Sequence, residues 1–299
     1  MASPVKKITV IGGTGMLGKP VVRALVRGDY EVTAMVRNLE KAKRTLPDEV
    51  KLVSGDLQNR DDIIRALEDA EGVYLNLSTR PETPKYAEFL PERDGVEQVL
   101  SVVSEMNSAG AGIRRIGVIS SLVHRCADTN RFDWWLFEIK KWAVKALREA
   151  QVPVTIFYPS TFMETMDQGG VFQGRRLVLV GKSRQPMHFI AGADYGRMVA
   201  EAFRVTGDQN CEFDIQGPEP LTFEEAALTF VKNYRHGPVK ISRIPLWLMK
   251  AAGIFSNEVQ YLARMMEALN SCPEPWSGQE AWNRLGRPKI TFAEYVKKL

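Results

Sequence analysis

The chain has 299 residues, of which 44% are hydrophobic and 25% charged, and its formal net charge is +4. These values are typical of an ordinary folded protein, and so small a charge gives no reason to expect a nucleic-acid partner. No apolar run has the length of a membrane span, and the first predicted strand begins so early that we expect neither a membrane partner nor a signal peptide. Three widely spaced cysteines favour reduced thiols and a cytoplasmic location: Cys126, Cys211 and Cys272. Three histidines without metal-ligand spacing predict no metal site: His124, His188 and His236.

A glycine-rich turn follows the first predicted strand and opens the first predicted helix. It reads Gly12–Gly13–Thr14–Gly15–Met16–Leu17–Gly18. Glycines at this spacing suit a sharp strand-to-helix turn whose backbone approaches a ligand closely. The helix N-terminus adds unpaired N–H groups and the positive end of the helix dipole. The turn therefore predicts a site for a dinucleotide pyrophosphate, formed by Gly12, Thr14, Gly15, Met16, Leu17 and Gly18.

The first half of the chain alternates predicted strands and helices. Strands are predicted at 6–11, 31–36, 50–54, 72–77, 113–120 and 152–158, and helices at 16–27, 39–44, 61–69, 94–108 and 134–150. Strands separated by helical segments indicate right-handed crossovers and a parallel sheet. The sequence therefore predicts an α/β, doubly wound (Rossmann) fold, in which ligands bind at the carboxyl ends of the strands.

The end of the second predicted strand distinguishes between the two nicotinamide dinucleotides. An NAD site usually carries an acidic residue there, about twenty residues past the glycine turn. Here the strand ends in Val36–Arg37–Asn38, and no acidic residue occurs before Glu40. A guanidinium binds a 2′-phosphate that a carboxylate would repel, so Arg37 predicts NADP(H). The alternative is a solvated surface arginine.

Two further strand ends carry predicted cofactor contacts. Asp56 and Leu57 follow the third predicted strand, where the carboxylate would accept a hydrogen bond from the adenine amine. The alternative role of Asp56 is in a turn or a helix cap, and the two roles are compatible. Asn76, Leu77 and Ser78 end the fourth predicted strand and are expected beside the ribose and the pyrophosphate.

The alternation becomes less regular after residue 158. Short strands are predicted at 177–180, 187–190 and 211–216, and helices at 194–205, 222–231 and, as an apolar-faced pair, within 244–269. Thr222 and Glu225 have the spacing of a helix N-cap. We predict a cofactor-binding domain over residues 1–158 and a smaller substrate lobe over 159–299, interleaved with the sheet in one compact unit.

These motifs and several later blocks resemble the atypical short-chain dehydrogenase/reductase superfamily, in particular its NmrA-like and isoflavone-reductase-like branches. The later blocks are Val118–Ser121, PVTIFYPSTFME at 153–164, the segment 189–202 and CEFDIQGPEPLTFEEAA at 211–227. The similarity extends almost from end to end of the chain. It implies NADP(H) as the cofactor and hydride transfer as the reaction.

The same resemblance exposes a missing residue. Family members carry a Tyr-x-x-x-Lys pair on the helix after the fifth strand, in which the tyrosine acts as acid and the lysine holds the nicotinamide ribose. The resemblance aligns that lysine with Lys140, followed closely by Lys141. Four residues before these lysines stand Leu136 and Phe137, neither of which can transfer a proton. A missing proton donor costs on the order of a hundredfold in rate. Some relatives without the tyrosine still reduce substrates, while others bind NADP(H) as redox sensors.

Four side chains are candidates for the chemistry. Lys140 would orient the nicotinamide ribose, with a solvated helix-surface lysine as the alternative. Ser121 would face substrate or cofactor, or else satisfy backbone groups at the strand end. Tyr158 would replace the absent phenol unless it packs in the core. His124 would act as a proton shuttle with a near-neutral pKa unless it is only an exposed loop residue.

A group of apolar side chains is predicted to surround the nicotinamide and to bind a planar hydrophobic substrate: Phe132, Trp134, Trp135, Phe137, Phe157, Phe162, Met163 and Met166. The sequence thus predicts an NADPH-dependent oxidoreductase that transfers hydride to a small hydrophobic carbonyl, quinone, imine or conjugated acceptor. The alternative is a non-enzymatic NADP(H)-binding sensor or scaffold that regulates a partner. A nucleotide-sugar epimerase is disfavoured because such enzymes normally need the tyrosine. Both a monomer and a homodimer stay open.

Overall fold

The computed structural model describes residues 5–129 and 131–299, and its largest feature is a seven-stranded sheet. The strands are β1 (Lys7–Ile11), β2 (Glu31–Val36), β3 (Lys51–Ser54), β4 (Gly72–Leu75), β5 (Arg115–Ile119), β6 (Val154–Pro159) and β9 (Cys211–Ile215). They lie in the order β3-β2-β1-β4-β5-β6-β9, and each neighbouring pair is parallel. The predicted doubly wound parallel fold is confirmed.

Helices cover both faces of this sheet, because successive residues of a strand point to opposite sides and both sides are apolar here. These helices are α1 (Gly18–Arg27), α2 (Leu39–Thr45), α3 (Arg60–Leu67), α4 (Val96–Ser108), α5 (Leu122–Thr129), α6 (Trp135–Arg148) and α7 (Gly192–Val205). One core lies between the sheet and α3, α4 and α6. The other lies under α1 and α7. A π-helical turn (Pro91–Gly95) leads directly into α4.

The rest of the second half forms a smaller unit beside the carboxyl edge of the sheet. A three-stranded sheet combines β7 (Phe172–Gln173), β8 (Arg176–Val180) and β10 (Lys240–Ile244). Its helices are α8 (Phe223–Asn233), α9 (Leu246–Ala252), α10 (Asn257–Ser271), α11 (Gln279–Leu285) and α12 (Phe292–Lys297). Because β9 and α7 belong to the large sheet and its helical layers, the second half is interleaved with the first. The boundary between residues 158 and 159 stays a prediction.

The segment 187–190 is not a strand, contrary to the prediction. Two isolated bridges are found there, one joining Ile190 to Phe162 and the other joining Met187 to Leu221. The two ends of the segment thus pair with different parts of the chain, so no continuous ladder forms. The predicted first helix also begins later than expected, at Gly18 rather than at residue 16. Five of the named helices and strands were not predicted: α5, β7, β10, α11 and α12.

Some features are absent from the part of the chain that the structure describes. Within residues 5–129 and 131–299, no helix is both long enough and apolar enough to cross a membrane. In the same ranges, no three His, Cys, Asp or Glu side chains are grouped so that they could hold a metal ion. None of the three cysteines forms a disulfide.

Candidate active site

The glycine turn is held tightly against the end of β4. Gly12 has a φ of +87°, and a Cβ at this position would lie 2.2 Å from the carbonyl oxygen of Asn76. A Cβ on Gly18 would lie 2.2 Å from the carbonyl oxygen of Gly12. The N–H of Asn76 donates to the carbonyl of Ile11 at 2.9 Å, which continues the β1–β4 ladder into the turn. The fold itself therefore requires glycine at both positions.

Gly15 differs from those two glycines because the fold leaves room for a side chain there. The atom nearest to a Cβ on Gly15 would be the Gly12 carbonyl oxygen at 3.4 Å, and the residue is exposed. Around it, the N–H groups of Thr14, Met16 and Leu17 have no hydrogen-bond acceptor in the described ranges. Helix α1 has neither a side-chain cap nor an acidic residue in its first turn. An open backbone, free N–H groups and a helix N-terminus together fit a bound pyrophosphate.

Arg37 lies at the carboxyl end of β2 and is exposed. Within the described parts of the chain, no hydrogen bond or ion pair engages its guanidinium. The neighbouring Asn38 serves the local fold instead, since its side chain caps α2 by accepting the N–H of Lys41 at 2.9 Å. The guanidinium therefore stands available at the place where the sequence predicts the 2′-phosphate of NADP(H).

Asp56 has a local structural role at the end of β3. One carboxylate oxygen accepts the N–H of Gln58 at 2.9 Å, while its own N–H donates to the Asp62 carboxylate at 2.8 Å. The Leu57 side chain is buried in the core, so only its backbone can contact a ligand. The turn role expected for Asp56 is thus present, and its contact with adenine stays a prediction.

The residues after β4 present unsatisfied polar groups to the same edge. The Asn76 side chain donates through Nδ2 to the Gly12 carbonyl at 3.4 Å, whereas its Oδ1 is buried without a partner in the described ranges. Ser78 is exposed, and its hydroxyl donates to the Thr79 carbonyl at 3.3 Å. A buried acceptor without a donor is costly, and a ribose hydroxyl placed beside the turn would satisfy it. Leu77 lines a small internal cavity together with Lys140.

Lys140 points from α6 toward the segment that follows β4. Its ammonium forms an ion pair with Glu92 of the π-helical turn, and the two side chains are only 14% and 8% exposed. The second Glu92 oxygen accepts the N–H of Thr79 at 2.7 Å. Sequence reasoning missed Glu92 because a π-helical turn has no periodic signature of its own. Lys140 is therefore a shielded cation, not a solvated surface lysine, and its contact with the nicotinamide ribose stays a prediction.

His124 differs from both of its predicted alternatives. It lies within α5 and is buried, with its ring 5.8 Å from that of Tyr158 and 6.4 Å from that of Phe137. Burial, with the nearby Lys140 charge as the next cause, lowers the pKa of His124 to about 3. The prediction of a near-neutral pKa is wrong, because desolvation disfavours the imidazolium. A ring that stays neutral at pH 7 does not serve as a proton shuttle there.

Tyr158 is buried in β6 and does not face the strand ends. Its hydroxyl donates to Glu212 at 3.1 Å, and Glu212 pairs in register with Ile156, two residues earlier in β6. The Arg125 guanidinium lies over the ring at 4.4 Å. Burial, with the Glu212 charge as the next cause, raises the pKa of Tyr158. This geometry supports the core-packing alternative and not the replacement of the absent phenol.

Ser121 follows β5 at the same edge as Lys140. Its hydroxyl is buried and has no hydrogen-bond partner in the described ranges. The Ser121 hydroxyl therefore does not bond to backbone groups at this strand end. Its contact with substrate or cofactor stays a prediction. On α6, Leu136 and Phe137 are both buried in the core, where neither offers a proton.

The predicted apolar lining does not exist as one group. Phe132, Trp134, Trp135 and Phe137 belong to the core under α6, whereas Phe157 and Phe162 lie on the opposite face of the sheet. Met163 and Met166 are in the core of the smaller unit. The prediction of one common lining is wrong because these residues pack in three separate cores, and only Trp134 and Trp135 line the cleft described next.

A cleft of about 590 Å³ opens between α6, α10 and the segment before the π-helical turn. It is lined by Lys85, Tyr86, Leu90, Arg93, Asp133, Trp134, Trp135, Glu138, Ile139, Gln260 and Arg264. Leu90 and Arg93 face this cleft, whereas Glu92 lies between them in sequence and binds Lys140. The π-helical turn thus forms a wall with an aromatic, partly charged cleft on one side and the ion pair on the other.

The sequence profile of the NmrA-like family matches residues 4–295. The chain belongs to the NmrA-like family. An NAD(P)H azoreductase from Xenophilus azovorans is 24% identical to it over 298 residues, which are 97% of this chain and 96% of that protein. The photosystem II assembly factor Ycf39 from Trieres chinensis is 23% identical over 247 residues, covering 81% of this chain and 73% of that protein.

A solved structure of an NADPH-dependent quinone oxidoreductase from Escherichia coli, complexed with NADPH, has a similar fold. Its TM-score is 0.72 at 18% identity, and the match covers 97% of this chain and 99% of that one. The predicted superfamily and the predicted NmrA-like branch are confirmed. The predicted class, an oxidoreductase that binds NADP(H), agrees with the azoreductase and with this quinone oxidoreductase.

Proposed function

We propose that this NmrA-like protein is an NADPH-dependent oxidoreductase that reduces a small hydrophobic acceptor, such as a quinone, imine, carbonyl or conjugated double bond. One observation carries the proposal. A single edge of the sheet combines an open, anion-binding glycine turn with a shielded lysine–glutamate pair. The first feature suits a dinucleotide, and the second holds a lysine in a fixed position beside the strand ends.

The cofactor contacts follow from groups that the fold leaves unsatisfied. The free N–H groups around Gly15 bind the pyrophosphate, and the Arg37 guanidinium binds the 2′-phosphate. The Asn76 amide oxygen accepts a ribose hydroxyl. When bound, NADPH supplies the hydride. Every one of these groups lies at the carboxyl edge of β1, β2 or β4, which is where a doubly wound fold binds its ligands.

Lys140 acts at the other end of that edge. Its ammonium is shielded from water and forms a close ion pair, so its position beside the strand ends is fixed. Glu92 holds the ammonium in place through the ion pair and is itself held by the Thr79 N–H. We assign Lys140 to the orientation of the nicotinamide ribose.

The acceptor binds in the cleft between α6 and α10. Tyr86, Trp134 and Trp135 give this cleft aromatic faces, which suit a planar apolar molecule. Lys85 and Arg264 add positive charge at its walls. A planar quinone or dye is thus a better fit than a nucleotide sugar, whose recognition needs many hydrogen bonds.

The test is to mix the protein with NADPH or NADH and to follow cofactor absorbance with quinones, azo dyes, imines and aldehydes. We expect turnover with a planar acceptor and a preference for NADPH. The double variant Lys140→Met/Glu92→Gln removes both charges and is expected to lower kcat, whereas Lys145→Met on the exposed face of α6 leaves kcat unchanged. Tight NADPH binding without turnover of any acceptor would contradict the proposal.

A non-enzymatic sensor or scaffold is the second candidate, and an exposed apolar surface favours it. Helix α9 has no buried residue, and Trp247, Ile254 and Phe255 are 70%, 77% and 90% exposed. Such a surface is typical of a protein-binding site. A protein that only senses its cofactor is expected to bind NADPH and NADP⁺ with very different affinities and to reduce no acceptor.

A further inference from the structure

A groove of about 510 Å³ lies between α1 and α7, away from the cleft that we assign to the acceptor. It is lined by Arg23 and Arg27 of α1 and by Arg197, Glu201 and Arg204 of α7. We propose that this groove is a docking site for an acidic peptide segment of a partner protein. Such docking does not depend on the proposed reaction, because it uses a different surface and needs no turnover.

The shape of the groove follows from how the two helices pack. At one end they approach so closely that a Cβ on Gly196 would lie 2.4 Å from the Pro20 carbonyl oxygen. Tyr30 also lines the groove, and its hydroxyl donates to the Ala200 carbonyl at 3.0 Å. Ala24 and Ala200 have short side chains that leave the space between the helices unfilled. The groove therefore has small apolar surfaces beside its arginines.

The two arginines of α7 are already paired. Arg204 forms an ion pair with Glu201, in which its Nε donates to a carboxylate oxygen at 2.9 Å. Arg197 lies 3.5 Å from the buried Asp194 carboxylate and donates to the Arg287 carbonyl at 2.8 Å. Both carboxylates on this side are thus neutralised by arginines of the same helix, so the groove keeps a net positive charge.

That charge comes from the two arginines of α1, which are both exposed. Arg23 donates to the Thr45 carbonyl at 3.4 Å. Arg27 has no hydrogen bond or ion pair in the parts of the chain that the structure describes. A guanidinium binds a carboxylate well through two parallel N–H groups. The α1 wall therefore presents two cations that carboxylates of a partner can bind.

The backbone around the groove favours a peptide over a phosphate compound. Arg23 and Arg27 lie past the first turn of α1, and Glu201 and Arg204 lie past the first turn of α7. Their N–H groups are therefore bonded within the helices. Phosphate sites instead use free N–H groups at helix starts or in tight turns. The walls of this groove bind through side-chain charge, which suits carboxylates.

The spacing of the α1 arginines suits a single peptide segment. Arg23 and Arg27 are four residues apart, which is about 6 Å along the helix axis. Acidic residues four apart in a partner helix, or two apart in an extended segment at about 6.6 Å, have nearly the same spacing. One short acidic segment can thus pair with both arginines at once.

The experiment measures binding of a labelled peptide of glutamate and alanine by fluorescence anisotropy, with a glutamine and alanine peptide as its uncharged counterpart. The wild-type protein is compared with Arg23→Gln/Arg27→Gln and with the matched control Lys232→Gln/Arg235→Gln, which removes two exposed charges at the end of α8. We expect Arg23→Gln/Arg27→Gln to weaken binding of the acidic peptide about 10-fold, through the loss of two exposed ion pairs. The control variant is expected to keep the wild-type affinity, and both variants are expected to keep NADPH affinity and thermal stability.

The other outcomes overturn the inference. Equal weakening in the two double variants means that net charge alone attracts the peptide, and equal binding of the uncharged counterpart means that carboxylates are not recognised. Binding of inorganic tripolyphosphate without binding of the acidic peptide makes the groove a small-anion site, and binding of neither leaves it without a ligand of this class. If the double variant does not fold, Arg23→Gln and Arg27→Gln are measured singly. Each is expected to weaken binding about 3-fold, and unchanged affinity in both overturns the inference. No acceptor is present in this assay, so none of these outcomes bears on the proposed function.

Discussion

The two ends of the carboxyl edge are built in different ways. The proposed cofactor end consists of backbone groups of seven consecutive residues, 12–18, packed against the tip of β4. The proposed reaction end instead collects side chains that are far apart in sequence: Glu92, His124 and Lys140. The glycine turn can be recognised in a short window of sequence. The cluster around Lys140 exists only once the π-helical turn, α5 and α6 pack together.

Their electrostatics differ as well. The cofactor end is open to water, and the charge of Arg37 is exposed there. At the proposed reaction end, burial, with the Lys140 charge as the next cause, lowers the pKa of His124. Substitutions at the cofactor end are therefore expected to change mainly binding, while those at the reaction end change stability and chemistry together.

The sharpest test of this difference is to unpair the shielded charges. Lys140→Met leaves Glu92 as an uncompensated, nearly buried carboxylate, which is expected to lower the free energy of unfolding by about 3 kcal/mol. Lys140→Met/Glu92→Gln removes both charges and is expected to regain most of that loss. Urea unfolding of the two variants measures the difference. Equal stability of the single and double variants would show that the pair is solvated.

Within the glycine turn, one alanine substitution is expected to lower stability and another to weaken NADPH binding. Gly18→Ala places a Cβ 2.2 Å from a carbonyl oxygen and is expected to lower the free energy of unfolding by about 2 kcal/mol. Gly15→Ala meets no atom closer than 3.4 Å, so stability is retained while NADPH binding weakens. Thermal unfolding and a cofactor titration separate the two effects. Unchanged NADPH affinity in a folded Gly15→Ala protein would place the pyrophosphate elsewhere.

Arg37→Ala tests the assignment of the 2′-phosphate. Loss of one charge-assisted contact is expected to weaken NADPH binding by about 1.5–2 kcal/mol, or roughly 10- to 30-fold. Binding of NADH, which lacks this phosphate, is expected to stay the same, as is the stability of an exposed site. Titration of both cofactors against the wild-type and variant proteins measures this. Equal weakening of NADH and NADPH would point to a general charge effect.

A further test is the pH dependence of stability that comes from His124. Its pKa in the folded state is about 3, below the 6.5 of an unfolded histidine, so between these values only the unfolded chain takes up the proton. Folding stability therefore falls as pH drops below about 6.5, by up to about 1.4 kcal/mol per pH unit from this group. His124→Gln is expected to show a shallower fall between pH 6.5 and 5 in urea unfolding. Identical slopes would mean that the ring is protonated in the folded state.

The parts of the site that the sequence predicted are those that depend on local order. The turn at 12–18, Arg37 after β2 and Asn76 after β4 lie at strand ends, and a parallel sheet brings all strand ends to one edge. The errors arose where the prediction depended on the direction in which a side chain points. The expected aromatic lining is divided between two cores, and a helix not predicted, α5, buried His124.

The sequence alone determined the doubly wound fold, the family and the expected cofactor, because periodicity and the glycine turn act over a few residues. Only the tertiary structure decided what surrounds Lys140. Glu92 is 48 residues before Lys140 in the chain, and no local pattern links the two residues. Their ion pair comes from the packing of α6 against the π-helical turn. Burial in the same region lowers the pKa of His124, which the residue type alone does not predict.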